Sequence, residues 1–229
     1  MDYVGGPRGG AGRDGQTADG ASDRRISAFV VERGTPGLAA GKHERKLGQR
    51  GSSTVPLTLD DVLVPEGNLL GGEGEGFKVA LTALDGGRIN VAAQSVGIGR
   101  AALDAAISYA KARHQFGQPI GSFQGVRFML ADAAVSLEAA WLLVMQAAWA
   151  KERAMPFTRL AAEAKLFASE RACAACDAAV QIHGGYGYTR DFPVERYLRD
   201  VRVTTIYEGT SQIQRLVVAK HILRERENA

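Results

Sequence analysis

The sequence predicts a mainly α fold, an antiparallel four-helix-type bundle preceded by a partial β-domain. Two observations lead to this prediction. The long stretches after the glycine cluster at 71–76 repeat apolar residues at helical spacing and are joined by short loops, as in neighbouring antiparallel helices. Residues 26–65 instead hold short β-branched or alternating runs punctuated by glycines, which is typical of strands and turns. We therefore expect a leader over 1–25, a partial β-domain over 26–72 and a helical bundle over 73–229.

Composition excludes several classes of function. The chain has 229 residues, of which 45% are hydrophobic, so it can bury a sizeable core. Its net charge of +3 is small and its basic residues are spread among acids rather than clustered, which gives no electrostatic support for binding nucleic acid. We expect no apolar run to reach the length needed to cross a membrane, and therefore no membrane insertion.

The first segment, Met1–Arg25, is rich in glycine, arginine and aspartate and poor in apolar residues. Such a composition predicts a disordered leader, because it offers too little burial to offset the entropy of ordering. The leader lacks the apolar core of a secretory signal, and its four aspartates argue against an organellar transit peptide. A cytoplasmic location is therefore the expectation.

The β-domain is expected to contain a strand near Ile26–Glu32 and a second where Val55, Leu57 and Leu59 alternate with polar or small residues. Such a small sheet would have open edges if it stood alone. The helices expected after it run over about Phe77–Arg113, Ser122–Arg153 and Phe157–His183, followed by a short turn near Pro193–Arg199 and a final helix. In the second of these, one apolar stripe comprises Val126, Leu130, Ala133, Leu137, Trp141 and Val144.

The start of the final helix carries the residue of greatest chemical interest, Glu208. Ser211 and Gln214 have the spacing of a capping box, so the helix is expected to begin near Ser211. An apolar stripe then follows at Ile213, Leu216, Ala219 and Leu223. Gly209 lets the chain turn, which would leave the Glu208 carboxylate at a chain reversal suited to a general base. The alternative is a solvated acid that stabilises the helix dipole.

Two glycines in the interior of the first helix, Gly86 and Gly87, each cost about 1 kcal/mol relative to alanine. They indicate close approach, either of another chemical group or of a neighbouring helix. Cys173 and Cys176 form a lone CxxC pair in an alanine-rich helical pattern, which favours two small core residues over a metal or redox site.

Two loops that follow helices carry residues suited to binding an anion. Arg113 closes the first helix, where an arginine is commonly a dipole partner. Gly184 is a natural cap for the third helix, and with Gly185 and Gly187 it forms a glycine cluster whose backbone N–H groups can face a phosphate.

Three segments together resemble the acyl-CoA dehydrogenase family. They are Tyr207-Glu-Gly-Thr-Ser-Gln-Ile-Gln-Arg215, the Arg113-x-x-Phe-Gly-x-Pro119 loop and Gln181-Ile-His-Gly-Gly-Tyr-Gly187, and the resemblance extends over most of residues 26–225. It implies a flavoenzyme in which Glu208 removes the α-proton of an acyl-CoA thioester while the β-hydrogen leaves as hydride to FAD. A subset of the family places its base at the position of Gly87. Glycine cannot serve, so Glu208 is the remaining candidate.

The resemblance also implies the binding residues. Arg113 would pair with the FAD pyrophosphate, with Phe116 and Gln124 at the adenosine end. The segment with Gln181, Ile182, Gly184 and Gly185 would contact the flavin cofactor of a neighbouring subunit, and His183 is expected to be a turn residue. The flavin contacts carried over from the final helix are Thr210, Ser211 and Gln212, and the residues on the substrate side are Asp85, Arg88 and Gly209. No metal site is expected.

The implied partners are an acyl-CoA substrate, an electron-transferring flavoprotein as electron acceptor and a second copy of the chain, in a homodimer or homotetramer. Family members carry a helical domain and half a β-domain before the residues that match Ile26, so we expect this chain by itself to have little or no dehydrogenase activity. Two alternatives are a flavoenzyme like acyl-CoA oxidase, which reacts with dioxygen, and a non-catalytic bundle that associates with another chain.

Overall fold

The computed structural model describes residues 3–4 and 26–227. Its secondary structure is mainly helical, which confirms the predicted fold class. The predicted disordered leader lies outside the described residues, except for Tyr3–Val4, which form a short strand. By contacts the chain divides into two compact units, one of Met1–Lys46 with Arg50–Leu84 and the other of Leu47–Gln49 with Asp85–Ala229.

Short antiparallel strands make up the sheets of the first unit. One sheet has the order β1-β2-β5, and β3 pairs with β4 in a second. Phe29 lies opposite both Val4 and Leu69, which fixes the register of the three-stranded sheet. The strands are β1 Tyr3–Val4, β2 Ala28–Val30, β3 Leu38–Ala40, β4 Leu57–Leu59 and β5 Leu69–Leu70. The two strands predicted near Ile26–Glu32 and Leu57–Leu59 are therefore confirmed, the first at reduced length.

Five α-helices follow within residues 26–227, and the three longest lie close to their predicted bounds. They are α1 Gly76–Ala112, α2 Gln124–Glu152, α3 Thr158–His183, α4 Val194–Val201 and α5 Ser211–Glu227. The first helix continues without a break through all its interior glycines. A hairpin of β6 His114–Gln115 and β7 Gln118–Pro119 joins α1 to α2. The segment predicted as a turn near Pro193–Arg199 is helix α4, followed by a 3₁₀ turn at Arg202–Thr205.

The core between α1, α2 and α3 consists largely of alanine. One cluster joins the later part of α1 to the early part of α2 and the later part of α3, through Ala106, Leu137 and Ala175 among others. The second joins the earlier part of α1 to the later part of α2, through Val96 and Val144. These pairings make α2 antiparallel to both of its neighbours. The predicted stripe of α2 faces this core.

Helix α2 is also apolar on the side away from this core. Phe128, Val135, Leu142 and Trp149 recur there at every seventh position, and each side chain is exposed by about half or more; we call these four residues the outer stripe. By length and composition α2 is the one helix in the described part of the chain that could cross a membrane. The expectation that no apolar run reaches that length is therefore wrong, because α2 is apolar both towards the core and away from it.

Residues 47–49 attach to α4 in the second unit. The Gln49 backbone N–H donates a 2.6 Å hydrogen bond to Oδ1 of Asp200, and Arg199 donates to the carbonyl of Leu47. A Cβ on Gly48 would lie 2.3 Å from the Arg199 carbonyl oxygen, so glycine is required for this approach.

Candidate functional site

Glu208 lies in a turn of unusual backbone geometry between the 3₁₀ turn and α5. Its φ is +54°, and that of Gly209 is +86°. A non-glycine residue in this left-handed region carries backbone strain of about 1–2 kcal/mol. The predicted chain reversal at Glu208 is thus confirmed, and Gly209 supplies the second left-handed residue that completes it.

The Glu208 carboxylate points at the interior of α1. A Cβ on Gly87 would lie 2.4 Å from Oε2 of Glu208 and 2.8 Å from its Cδ. The close approach predicted for the helix-interior glycines is therefore made at Gly87 by the candidate base itself. Oε2 is buried and accepts no hydrogen bond from the described residues. A buried carboxylate oxygen without a donor is poised to accept a proton from a ligand.

Two buried polar side chains lie beneath the turn. Nζ of Lys165 donates a 2.6 Å hydrogen bond to the Gly209 carbonyl oxygen. Nε2 of Gln214 donates to the same oxygen at 3.0 Å and to the Glu208 carbonyl oxygen at 3.1 Å. Both side chains are fully buried.

The helix after this turn begins at Ser211, as predicted, but the predicted capping box is wrong. Gln214 reaches backwards to carbonyl oxygens rather than to the Ser211 N–H. The helix is capped weakly by Oγ1 of Thr210, which accepts from the Ile213 N–H at 3.4 Å. Oγ of Ser211 is buried and has no hydrogen-bond partner among the described residues.

Charges of both signs surround the turn. The pKa of Lys165 is lowered to about 8, mainly by burial and next by the positive charge of Arg88, while the carboxylates of Glu208 and Glu170 act in the opposite direction. Arg88 is itself buried and forms a 2.6 Å ion pair with Asp85.

The structure brings together Asp85 and Arg88, the two residues of α1 implied to lie on the substrate side. The other carboxylate oxygen of Asp85 accepts a 2.6 Å hydrogen bond from Oγ1 of Thr158, at the start of α3. Nε of Arg88 is buried without a hydrogen-bond partner in the described part of the chain. A buried guanidinium N–H that lacks an acceptor leaves room for one from a ligand.

A second place in the bundle collects several residues implied to bind FAD. Arg113, Ile182, Gly184 and Gly185 line one open cleft of about 460 Å³, together with Tyr109, Gln115, Ile120, His183, Tyr186 and Thr189. The Arg113 guanidinium lies 5.7 Å from the centre of the Tyr186 ring. Gly184 caps α3 with a φ of +59°, which confirms its predicted role.

Six other residues implied to bind FAD are not in the lining of this cleft. Three of them, Thr210, Ser211 and Gln212, lie at the start of α5. Phe116 occupies the tip of the β6–β7 hairpin, where its side chain is 91% exposed and its φ is +52°. Gln124 is an exposed residue at the first position of α2. Gln181 is exposed in the last turn of α3.

His183 is the residue of this segment that differs most from expectation. It is the last residue of α3 and is buried, rather than a residue of the following turn. Its ring stacks on Tyr109 with centroids 4.2 Å apart, and its Nδ1 lies 2.8 Å from the carbonyl oxygen of Ala179. The prediction is wrong because His183 is the last residue of α3, so its side chain packs inside the final helical turn instead of lying in the loop that follows.

Cys173 and Cys176 are free thiols on α3. Burial raises the pKa of the Cys176 thiol to about 12, so this residue stays protonated and behaves as a small core side chain. The described residues contain no group of three or more metal-ligating side chains.

The family is decided by a match of residues 74–223 to the family model described as acyl-CoA dehydrogenase, C-terminal domain. The chain belongs to the acyl-CoA dehydrogenase family. The match covers the region that holds the Glu208 turn, the cleft and the alanine core.

Two curated relatives match most of this chain but are about twice as long. It is 54% identical over 199 residues to a probable acyl-CoA dehydrogenase of Bacillus subtilis (strain 168), covering 87% of this chain and 52% of the relative. It is 53% identical over 202 residues to the mitochondrial short-chain specific acyl-CoA dehydrogenase of Rattus norvegicus, covering 88% of this chain and 49% of the relative. The chain thus spans about half the length of the curated relatives it matches.

A solved structure shows the same fold. Butyryl-CoA dehydrogenase from Megasphaera elsdenii superposes with a TM-score of 0.89 at 48% identity, over 91% of this chain and 54% of that chain.

Sequence reasoning did not single out Lys165 or Tyr109 at these two places, and it gave Gln214 and His183 other roles. Lys165 and Gln214 lie under the Glu208 turn, and Tyr109 and His183 line the cleft. A lysine in an alanine-rich helix normally places its ammonium group in solvent, so its sequence context gave no signal of burial. Tyr109 and His183 meet only through the packing of α1 on α3.

Proposed function

We propose that the protein takes part in the α,β-dehydrogenation of an acyl-CoA thioester, with Glu208 as general base and FAD as hydride acceptor. The observation that carries the proposal is the buried Oε2 of Glu208, which has no hydrogen-bond partner among the described residues. Its strained backbone supports the same assignment, because strain of this kind clusters at functional sites.

The residues present fit FAD in two respects. The cleft presents Arg113, whose planar guanidinium suits a diphosphate, beside the glycines of the α3 terminus. A Cβ on Gly185 would meet no atom within 4 Å, so no contact among the described residues requires glycine there, whereas a closely approaching cofactor would. Near Glu208, the unpaired Oγ of Ser211 offers a hydrogen bond to a flavin.

Each group around the turn then has a separate task. Glu208 accepts the α-proton on its carboxylate, since Oε2 accepts no hydrogen bond from the described residues. Arg88 and Asp85 form a fixed ion pair on the substrate side, with Arg88 Nε still able to donate. When bound, FAD supplies the acceptor for the hydride that leaves the β-carbon.

The proposed substrate is a short-chain acyl-CoA, with butyryl-CoA as the first to test. Support comes from the relatives, since one is a short-chain specific enzyme and another a butyryl-CoA dehydrogenase, both near 50% identity. We further propose that the protein forms a homodimer or homotetramer. The exposed outer stripe of α2 supports this proposal. An electron-transferring flavoprotein is the proposed electron acceptor, and the cytoplasm the proposed location.

Substitution of the base tests the proposal. To restore the residues that family members carry before the match to Ile26, the chain is joined to the N-terminal half of its Bacillus subtilis relative and supplied with FAD. This completed parent is mixed with butyryl-CoA, and the absorbance of the oxidised flavin is followed. The parent should bleach, and Glu208→Gln should bleach about a hundred- to ten-thousandfold more slowly, because an amide cannot accept the proton. Glu138→Gln, an exposed glutamate on α2, is the matched control and should behave as the parent.

Two results would count against the proposal. Bleaching of Glu208→Gln at the parental rate would remove Glu208 from the role of base. A parent that binds neither FAD nor butyryl-CoA would favour the alternative of a non-catalytic bundle. Following dioxygen consumption beside reduction of a dye acceptor separates a dehydrogenase from an oxidase, since only an oxidase would consume oxygen at the rate of turnover.

A further inference from the structure

Three hydrogen bonds from two buried side chains converge on the turn that carries Glu208. Lys165 donates to the Gly209 carbonyl oxygen at 2.6 Å, and Gln214 donates to the carbonyl oxygens of both Glu208 and Gly209. The two left-handed residues of the turn are thus held from below by groups on different helices, α3 and α5.

Such a turn needs external support. A left-handed glutamate is strained, and strained backbone persists only where the surroundings determine it. The first hydrogen bonds of α5 do not reach these carbonyl oxygens, because Gln214 N–H bonds to Thr210 and Ile213 N–H to the Thr210 hydroxyl. The side chains of Lys165 and Gln214 therefore provide the contacts that orient the two peptide groups.

A buried lysine is a costly way to provide one hydrogen bond to a carbonyl oxygen. Lys165 is 0% exposed, and the structure gives it no ion pair within 4 Å among the described residues. Replacing a buried charge by an apolar side chain of similar volume often stabilises a fold. The ammonium group is thus poorly explained by stability alone.

We propose that Lys165 and Gln214 are positioning residues, which fix the Glu208 turn so that its carboxylate is held against Gly87. This inference rests on the proposed function in one respect only, namely that Glu208 is the base. Lys165 acts through the peptide group of Gly209, and Gln214 acts through both peptide groups of the turn.

The test measures local order and global stability separately, on the chain without FAD or acyl-CoA. The variants are Lys165→Met, which keeps a linear side chain but removes the donor, and Gln214→Met, which does the same for the amide. Leu137→Ala, in the α1–α2–α3 core, is the control for a general loss of stability. Local order is read from amide hydrogen exchange over residues 206–214 and from the ¹³C signal of the Glu208 carboxyl, assigned by its absence in Glu208→Gln.

For Lys165→Met we expect amide exchange over 206–214 to be about ten- to a hundredfold faster, as for loss of a charged hydrogen bond, and the Glu208 carboxyl signal to shift or broaden. The midpoint of unfolding should stay the same or rise. Gln214→Met should show the same local effects. In Leu137→Ala the midpoint should fall while the Glu208 signal stays in place.

A purely structural role for Lys165 predicts a different pattern, in which the unfolding midpoint falls and the Glu208 signal does not move. That pattern, or unchanged exchange and an unchanged carboxyl signal in both methionine variants, would overturn the inference. Because neither readout uses turnover, such a result would leave the assignment of Glu208 as base to its own test.

Discussion

A Cβ atom added to Gly87 would lie 2.4 Å from Oε2 of Glu208, closer than a methyl group can approach a carboxylate oxygen. The Glu208 side chain, which comes from the turn before α5, therefore occupies the space that a side chain at position 87 of α1 would need. Because Glu208 is the far end of a flexible side chain, a methyl group at 87 would move the carboxylate rather than the helix.

Gly87→Ala should consequently separate activity from stability. Alanine in a helix interior stabilises by about 0.5–1 kcal/mol relative to glycine, so the free energy of unfolding should not fall. In the chain completed with the N-terminal half of its relative, displacement of the carboxylate should reduce the rate of flavin bleaching by butyryl-CoA about a hundredfold. Gly97→Ala is the matched control, since a Cβ there meets no atom within 4 Å, and it should gain stability without losing activity. Equal rates in the two variants would show that the Gly87 contact is unimportant.

Lys165 should make stability depend on pH in the alkaline range. Its pKa is about 8 in the folded protein against an ordinary value of 10.5, so between these values the unfolded chain binds more protons than the folded one. The free energy of unfolding therefore rises with pH over that window, by up to about 3 kcal/mol from this group. Below pH 8 both states are protonated and this contribution is constant.

The dependence can be isolated by urea unfolding of the parent and Lys165→Met from pH 7 to 10. Any advantage of the methionine variant should be largest at pH 7 and should shrink as pH rises. Lys78→Met, at a side chain that is 80% exposed, should show no such trend. If the difference in free energy of unfolding between the parent and Lys165→Met did not change with pH, burial would not lower the pKa of Lys165.

Arg113 should contribute to binding of FAD and little to the fold, because its side chain is exposed at the rim of the cleft. We expect Arg113→Gln to weaken binding of FAD about tenfold or more, as for loss of a charge-assisted hydrogen bond to phosphate, with an unchanged midpoint of unfolding. Titration calorimetry with FAD measures the first quantity and circular dichroism the second. Arg127→Gln, another exposed arginine near the loop, serves as control; a similar loss there would mean that only overall charge matters.

The outer stripe of α2 should be covered by a second copy of the chain. Its four large apolar side chains at heptad spacing would otherwise face water, and closed dimers are the commonest soluble oligomers. Multi-angle light scattering should show a dimer or tetramer for the parent and a smaller species for Val135→Glu with Leu142→Glu. Lys78→Glu should leave the mass unchanged. A parent that is monomeric at micromolar concentration and still binds FAD would contradict the prediction.

Most of the fold could be predicted from local signals, because helix periodicity and the glycine and proline breakers are properties of neighbouring residues. Gly184 marked the end of α3 and Ser211 the start of α5 without any tertiary information. The segment at Val194–Val201 was harder, since its helix is only eight residues long and follows a loop rich in glycine.

Part of the candidate site could also be predicted from local sequence, and part could not. Glu208 and Gly87 could be singled out because a carboxylate at a turn and a glycine inside a helix are locally unusual. Lys165 and Gln214 could not, because each has an ordinary role that its sequence context favours, a solvated lysine and a capping glutamine. Only the packing of α3 beneath the turn shows that both side chains face inwards.

The alanine-rich core of α1, α2 and α3 has a consequence for how the protein tolerates mutation. An alanine core loses almost no side-chain entropy on folding, so the close contact of the helices is gained at little entropic cost. Truncation of such a core removes little apolar volume, and the closely packed helices leave no space for larger side chains. In a saturation-mutagenesis profile, positions such as Ala140 and Ala168 should tolerate glycine better than valine or leucine, the reverse of the pattern at a leucine core, where enlargement is less damaging than truncation.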